Sequence, residues 1–439
     1  MTPLPTGWHC ASLAELGIRT QPGFASGVHT RTSIGIPHLR PMNISRLGQI
    51  DMSDVKYVED GTDRRVAHGD VLFNNTNSPA LVGKTAYVAS VEPLAYSNHM
   101  TRLRYDPAAI DGRFLAYQLH GLWAAGYFKA ICSNHVNQAS VASGRLAQVE
   151  IAVASLEEQR RIVGMLEDHL SRLDAADRGA AAAVARTAPL IASDAMRIAS
   201  GAGARLTGER VMFGDVARLV PKGWRESTVG AEASLIEYGT SAKTNKDARG
   251  GSVPVIRMGN LQRGRLELGK LAYLPRDHPD LATKLLLDGD LLFNRTNSAE
   301  LVGKSAVYER QRGGPHSFAS YLIRAHFKAD LRPAWASMVI NSPLGRSYIA
   351  SVASQQVGQA NVNGTKLKAF PLLVPPIDEQ DRLLRDHLEL IEGGERLRKQ
   401  HEVIRDRSSV LRRALLQAAF SGQLTGRSSD LDRAEEATA

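Results

Sequence analysis

Two short polar segments contain the residues whose types and spacing could bind a ligand. One runs from Asn74 to Ser78 and the other from Asn294 to Ser298, and a Gly-Lys pair follows each, ending at Lys84 or Lys304. Gly-Lys-Thr/Ser is typical of a phosphate-binding P-loop, which also needs a glycine five residues before the second one. Serine occupies that position in both segments, and the residues that follow have the composition of a strand. The sequence therefore argues against a nucleotide site.

Amide and hydroxyl side chains beside a lysine or arginine are also the groups that proteins use to contact phosphates and base edges. The alternative interpretation is a structural asparagine-rich turn whose side chains bond to their own backbone. Both interpretations remain open for each residue. The candidate DNA-binding residues are Arg40, Asn75, Thr76, Asn77, Ser78, Lys84, Lys243, Arg257, Arg295, Thr296, Asn297, Ser298 and Lys304.

Other patterns that could indicate an enzyme lack a required partner. Asp54-Val55-Lys56 has the spacing of many nucleases without their upstream Pro-Asp, which favours a surface charge pair. Phe420-Ser421-Gly422 begins like a methyl-donor motif, but Leu424 stands where its second glycine belongs. The 13 histidines show no close metal-binding spacing. We therefore predict no catalytic residue, no metal site and no cofactor in this chain.

The two polar segments belong to a long internal repeat. Gly69–Val88 and Gly289–Tyr308 are identical at 13 of 20 positions and lie 220 residues apart. Matches continue from Trp8 and Trp224 to Gln159 and Gln380. Because this period far exceeds the 20–50 residues of a solenoid repeat, half of the protein has been duplicated.

The repeat predicts an α+β protein whose globular and helical parts alternate. Residues 1–155 and 216–375 have short apolar runs bounded by Gly, Asn and Pro, which indicates β-rich domains. Residues 156–215 and 376–426 have helical composition, and residues 427–439 are predicted to be a disordered tail. One helix is expected late in each globular part, at Gly112–Ala130 and Ala334–Ser351.

Leu156–Ser200 and Ile377–Phe420 are predicted to be long helices, since apolar residues recur at three- and four-residue steps. Some 45 residues at ~1.5 Å each would reach roughly 65 Å. We expect the two helices to pair antiparallel as a coiled coil and to hold the globular parts at its opposite ends. Pro189 and the pair Gly393-Gly394 are expected to kink or break them.

The charge distribution favours a nucleic-acid partner. The net charge is +9, and residues 216–375 hold 22 Lys/Arg against 12 Asp/Glu, whereas residues 1–155 hold 13 against 11. The two cysteines cannot form a disulfide framework, which fits a reducing cytoplasm. The sequence contains no apolar run that would span a membrane.

The duplicated motif GD-(V/L)-LFN-x-TNS…LVGK resembles the specificity subunit of Type I restriction-modification systems. So do the Glu-Gln pairs at Gln159 and Gln380, and the closing segment Leu415–Thr425. This resemblance implies two target recognition domains, residues 1–155 and 216–375, that each read one part of a bipartite site in double-stranded DNA. It also implies helices that set the spacer and dock two modification subunits, with restriction subunits joining them. S-adenosylmethionine, ATP and Mg would then be bound by those partners.

Two alternatives of other classes remain. One is a stand-alone DNA methyltransferase or nuclease with an unrecognised site, which methyl transfer by the isolated chain would reveal. The other is a coiled-coil scaffold that binds only protein, which an absence of salt-sensitive DNA binding would favour.

Overall fold

The computed structural model describes residues 4–26, 28–29, 35–59, 64–92, 94–134, 138–246, 248, 250–262, 264–310, 314–356 and 358–424. The chain forms two compact units, Met1–Gly179 with His401–Ala439, and Ala180–Gln400. The first unit contains residues 1–155, called here the first repeat, and the second contains residues 216–375, the second repeat. The predicted disordered tail, 427–439, lies outside the described residues.

In the described part of the first repeat, the strands form four sheets. An antiparallel sheet of four contains, in spatial order, Arg19–Pro22, Met100–Arg104, Val71–Asn74 and Thr85–Tyr87. A second sheet of four, with a parallel central pair, contains Lys56–Val58, Ile36–Leu39, Leu94–Tyr96 and Arg65–Val66. The smaller sheets contain Ser133–Asn134, Ala139–Ser140 and Thr76–Asn77, and His9–Ser12 with Glu150–Val153.

The described strands of the second repeat follow the same order, except that its sheet with the parallel pair has three strands instead of four. Its antiparallel sheet of four contains Ala233–Tyr238, Leu322–Phe327, Leu291–Asn294 and Ser305–Val307. The sheet with the parallel pair contains Ala272–Leu274, Val253–Ile256 and Ser317–Phe318. The smaller sheets contain Ser354–Gln356, Gln359–Asn361 and Thr296–Asn297, and Arg225–Thr228 with Pro371–Val374. Two hairpins complete the described strands. Leu206–Phe213 pairs with Val216–Pro221 and begins before the second repeat, so residues 156–215 are not helical throughout, contrary to the prediction. Leu261–Gln262 pairs with Arg265–Leu266.

Short helices pack on these sheets. In the first unit they are Gly112–Ala124, Tyr127–Ile131 and Ser143–Ala147, with a 3-10 turn at Pro41–Asn43. In the second they are Val229–Glu232, Leu281–Lys284, Pro333–Asn341, Pro343–Val352 and Gly364–Lys368, with a 3-10 turn at Met258–Asn260. The single helices predicted at 112–130 and 334–351 are therefore each divided in two. Gly126 has a left-handed backbone, with φ 83°, and Pro343 cannot continue a helix.

The glycine of the repeated Gly-Lys pair is a packing residue. Gly83 has a φ of +96°, and a Cβ atom there would lie 2.4 Å from the Phe128 ring. Gly303 has a φ of +81°, and its Cβ atom would lie 2.5 Å from Ile349. Both turns therefore need glycine for conformation and for close packing against a short helix. This accounts for the resemblance to a P-loop without a nucleotide.

Leu156–Ala199 and Ile377–Phe420 are single helices of 44 residues each, called here the first and second long helices. Of the kink or break expected at Pro189, the break is absent, because the first long helix continues through this residue. Its missing N–H frees the carbonyl of Ala185, and both residues are exposed, so that carbonyl can be solvated. Gly394 does not break the second either, because it serves close packing. A Cβ atom there would lie 3.3 Å from the Cβ atom of Thr187.

Segments of the two long helices run antiparallel within each unit. In the first unit, Asp174 pairs with Arg412, and Asp177 lies 3.1 Å from His401. In the second unit, Thr187 lies beside Gly394, and the Asp194 carboxylate lies 2.8 Å from Nδ1 of His387. Residue numbers thus rise along one helix as they fall along the other. The α+β class and the antiparallel pairing are confirmed.

The end of each long helix packs on the start of a repeat. The end of the second long helix meets the first repeat, and the end of the first long helix meets the second repeat. Gly422 lies against Pro5, and the Phe420 ring packs on Phe114 with 5.3 Å between centroids. In the second unit, Gly201 lies against Pro221 in the same way. The residues just after the second long helix therefore pack on the first residues of the first repeat.

A buried glutamine joins each repeat to the long helix that follows it. Gln380 accepts a hydrogen bond from the backbone N–H of Arg332 at 2.9 Å. It donates to the carbonyl oxygens of Asp330 and Pro375 at 3.0 and 2.9 Å. Gln159 makes the equivalent three bonds in the first unit, to the N–H of Asp111 and the carbonyls of Ala109 and Ala154. Both glutamines are fully buried. The Glu-Gln pair of the sequence motif therefore has a structural role.

We expect Gln380→Leu to lower the free energy of unfolding by about 2–4 kcal/mol, because each buried backbone group left without a partner costs about 1–3 kcal/mol. Urea unfolding of the full chain would measure this change. Hydrogen exchange should locate it through lost protection of the Arg332 amide. Glu389→Leu, at an exposed position of the same helix, is the matched control and should change stability by less than about 0.5 kcal/mol. Equal effects of the two variants would contradict the anchoring role.

Candidate nucleic-acid interface

The two polar segments begin at a buried asparagine that closes the loop. The side-chain amide of Asn74 donates to the carbonyl of Leu81 at 3.1 Å, and that of Asn294 donates to Leu301 at 3.5 Å. Both asparagines are fully buried at the end of a central strand. These residues shape the loop, and the residues after them are presented at the surface.

The residue after each asparagine has the same backbone contacts in both repeats. Its N–H donates to a carbonyl of one neighbouring segment, and its carbonyl accepts from the N–H of another. In the first repeat, the N–H of Asn75 donates to the carbonyl of His99 at 3.1 Å, and the N–H of Val141 donates to the carbonyl of Asn75 at 2.9 Å. In the second repeat, the N–H of Arg295 donates to the carbonyl of Tyr321 at 3.0 Å, and the N–H of Val362 donates to the carbonyl of Arg295 at 2.8 Å. The duplication has therefore placed two different side chains on one backbone geometry.

In the first repeat, that side chain is bonded within the protein. The amide group of Asn75 donates to the hydroxyl of Thr101 at 2.7 Å and to the carbonyl of Asn98 at 3.3 Å. Its oxygen accepts from the hydroxyl of Thr76 at 2.8 Å. Both amide hydrogens of Asn75 are thus used internally.

In the second repeat, the guanidinium of Arg295 lies over the ring of Tyr238, 4.8 Å from its centroid. The Arg295 Nε atom is buried and has no hydrogen-bond partner among the described residues. The Tyr238 hydroxyl accepts from the N–H of Gly364 at 2.7 Å, which holds the ring in place. The segment thus presents a stacked and oriented cation.

The remaining polar residues of the two loops are partly exposed and partly bonded. Asn77 and Asn297 accept the N–H of Ser78 and Ser298 at 2.8 and 2.9 Å, and both serines are exposed. The hydroxyl of Thr296 accepts from the amide of Asn361 at 2.7 Å. These are the self-satisfied contacts of a structural turn, and they leave part of each side chain accessible.

Lys84 is in the interior of the first repeat. Its side chain is 4% exposed, and its ammonium donates to the carbonyls of Pro41, at 3.1 Å, and Ile44. Burial lowers the pKa of Lys84 to about 8, with a smaller effect from the charge of Arg46. This position argues against the predicted contact with DNA. Lys84 instead fastens the turn at Pro41–Asn43 to the strand beneath it.

The other candidate cations are more accessible. Lys304 is half-buried, and Lys243 and Arg257 are exposed. Arg257 precedes the turn whose Met258 sulfur accepts from the Asn297 amide at 3.7 Å, so this arginine lies beside the polar segment of the second repeat.

The first repeat presents its equivalent arginine differently. Arg40 donates to the carbonyl of Asp54 at 3.0 Å and lies 3.8 Å from its carboxylate. Asp54 therefore pairs with Arg40, and the nuclease-like spacing with Lys56 has a structural explanation.

Sequence reasoning missed Tyr238, which is 40% exposed and supports Arg295 from 57 residues away. The registers of the two sheets place Pro22 at the equivalent position of the first repeat, opposite Thr101, as Tyr238 is opposite Ile323. Only alignment of the two repeats strand by strand would have pointed to this tyrosine.

Among the described residues, no group of three or more His, Cys, Asp or Glu side chains could hold a metal ion. No helix in the described part of the chain is long and apolar enough to cross a membrane.

The chain is similar to curated specificity subunits over most of its length. It is 23% identical over 396 residues to the type I restriction enzyme EcoKI specificity subunit of Escherichia coli K12, covering 89% of this chain and 82% of the relative. It is 22% identical over 400 residues to the StySPI specificity subunit of Salmonella potsdam, with the same coverage. No family model matches the chain.

Solved structures share the fold. The HsdS subunit from Thermoanaerobacter tengcongensis matches with a TM-score of 0.57 and 18% identity, covering 96% of this chain and 98% of that one. A chain from a study of complex assembly and conformational transition of the type I R-M system matches with a TM-score of 0.69 and 19% identity, covering 96% and 99%. The resemblance to type I specificity subunits that the sequence indicated is therefore confirmed.

We expect Lys84→Met to lower the free energy of unfolding by about 1–3 kcal/mol, because the buried carbonyls of Pro41 and Ile44 lose their donor. Lys304→Met, at the equivalent and more exposed position of the second repeat, is the matched control and should stay within about 0.5 kcal/mol. Thermal or urea unfolding of both variants measures the difference. A Lys84 variant as stable as the wild type would show that the ammonium is not needed for the fold.

Proposed function

We propose that this chain is the sequence-reading subunit of a type I restriction-modification complex, and that each repeat reads one part of a bipartite, asymmetric DNA site. The main support is that the two repeats present the same loop on the same backbone with different side chains, Asn75 and Arg295. Relatives that match 89% of the chain are named specificity subunits. Two similar surfaces that carry different side chains at the equivalent position suit a site whose halves differ in sequence.

The charge of the second repeat suits the DNA backbone. The surplus of ten Lys/Arg over Asp/Glu in residues 216–375 would attract phosphates regardless of sequence. Arg257 and Lys243 are exposed and Lys304 is partly exposed, and we assign phosphate contacts to these three. Arg40, Thr76, Asn77 and Ser78 of the first repeat, with Thr296, Asn297 and Ser298 of the second, remain candidates for contacts with either groove or backbone.

The partners follow from the same proposal. Exposed apolar residues remain on the second long helix, at Val403, Ile404, Val410 and Leu411. We propose that the long helices dock modification subunits, two per chain, and that restriction subunits join this assembly in the cytoplasm. S-adenosylmethionine, ATP and Mg would be bound by those partners, and this chain would itself be non-catalytic.

Two other functions are less well supported. A stand-alone methyltransferase or nuclease would need an active site, and none of the polar clusters described above has the arrangement of one. A purely protein-binding scaffold does not account for the positive charge of the second repeat or for the side-chain difference between the two loops.

Mapping of methylated adenines tests the proposed function. The chain would be co-expressed with the reading frames that flank its gene, and genomic DNA would be read by long-read sequencing. We expect methylation at one bipartite motif whose halves differ, and no methylation when this chain is omitted. Methyl transfer by the isolated chain would favour the enzyme alternative. A purified complex without salt-sensitive DNA binding would favour the scaffold.

The same readout tests whether the long helices set the spacer. Four residues inserted after Ala176 and four after Gln400 lengthen both helices by about 6 Å, close to two base-pair rises of ~3.4 Å. We expect the spacer of the methylated motif to grow by one or two base pairs while both halves keep their sequences. Four residues inserted after Asp215, in a hairpin turn, are the control and should leave the spacer unchanged. An active complex with an unchanged spacer after the helix insertions would contradict the idea of a ruler.

A further inference from the structure

Arg295 carries a buried donor that the protein leaves without a partner. Its Nε atom is shielded from solvent and bonds to none of the described residues. Most buried N–H groups in folded proteins are paired, so such a group calls for an explanation. The two terminal nitrogens of the guanidinium are not buried and also donate to none of the described residues, so they are available to a ligand.

The arginine is held ready for such a ligand. Its backbone is fixed on both sides by Tyr321 and Val362, and its guanidinium plane is supported by the ring of Tyr238. The ring is in turn fixed through its hydroxyl and the N–H of Gly364. A long side chain is thereby restricted to few orientations before binding, which reduces the entropy lost when it makes directional contacts.

The first repeat is an internal control for this arrangement. Its backbone bonds at Asn75 are the same, but Pro22 replaces the supporting tyrosine, and Thr101 provides a hydroxyl that the Asn75 amide binds. The corresponding position in the second repeat is Ile323, which has no polar side-chain group. The oriented guanidinium without a partner among the described residues is therefore a property of the second repeat's side chains and not of the shared backbone.

We propose that Arg295 reads a guanine in the half-site bound by the second repeat, donating two N–H groups to O6 and N7, and that Tyr238 is its positioning residue. This inference rests on the proposed function. A phosphate can be contacted from many directions by an exposed cation such as Arg257, and it does not require a stacked guanidinium. Two acceptors that lie in one plane do require an oriented, planar guanidinium, and guanine presents such a pair in the major groove.

The test compares the methylated motifs of complexes containing wild-type chain, Arg295→Ala, Arg295→Lys and Arg257→Ala. We expect the Arg295→Ala motif to lose its requirement for guanine at one position of one half-site. Discrimination there should fall roughly tenfold or more, with the other half-site intact. Arg295→Lys should relax the same position, because it retains the charge without the planar pair of donors. Arg257→Ala should weaken binding to all sequences and lower the salt slope by about one without changing the motif.

Variants of Tyr238 separate positioning from folding. Tyr238→Ala should relax the same guanine as Arg295→Ala, whereas Tyr238→Phe keeps a ring beneath the guanidinium but loses the bond to Gly364, so it should relax that guanine less than Tyr238→Ala does. If Arg295→Ala does not fold, the methylated motif of the Arg295→Lys complex tests the guanine assignment instead.

The outcomes distinguish the inference from the proposed function. A wild-type complex without any bipartite motif would overturn the proposed function itself. A wild-type motif that stays unchanged in the Arg295 variants, or that weakens at all positions equally, would overturn only the guanine assignment.

Discussion

The buried side-chain amides of Gln159 and Gln380 are the contacts on which the rest of this structure depends. Each satisfies one backbone N–H and two carbonyls at the point where a globular repeat ends and a long helix begins. Glutamine suits this position because one flexible planar group supplies both a donor and an acceptor to strands and loops around it. The start of each long helix is thereby fixed against the repeat that precedes it.

Neither repeat is complete with its own residues. Leu416 and Ala419, from the end of the second long helix, pack in the core of the first repeat. Ala195 and Ile198, from the end of the first long helix, pack in the core of the second with Trp335. Each hydrophobic core is therefore assembled from segments more than a hundred residues apart, which couples the folding of each repeat to the helix that reaches it.

Most residues that are identical in the two copies of the motif stabilise the loop. The residues that differ between the copies are the ones available for recognition. Asn74 and Asn294 close their loops, Gly83 and Gly303 allow the packing beneath them, and the buried Asp290 lies 3.3 Å from Arg324. Residues 75 and 295 share a backbone but carry different side chains. Recognition can therefore change at the surface while the buried contacts that fold the repeat are unchanged.

The sequence by itself determined the duplication, the α+β class, the two long helices and the resemblance to specificity subunits, because identity at a fixed period and helical spacing are properties of the chain. It did not determine that the helices continue through Pro189 and Gly394. The first helix continues because the carbonyl of Ala185 lies on an exposed face, and the second because Gly394 packs against the distant residue Thr187. Nor did it determine which candidate residues face solvent. Lys84 is buried by carbonyls some 40 residues earlier, and Arg295 is oriented by Tyr238, 57 residues earlier. Burial and stacking are decided by such distant neighbours, which only the tertiary structure brings together.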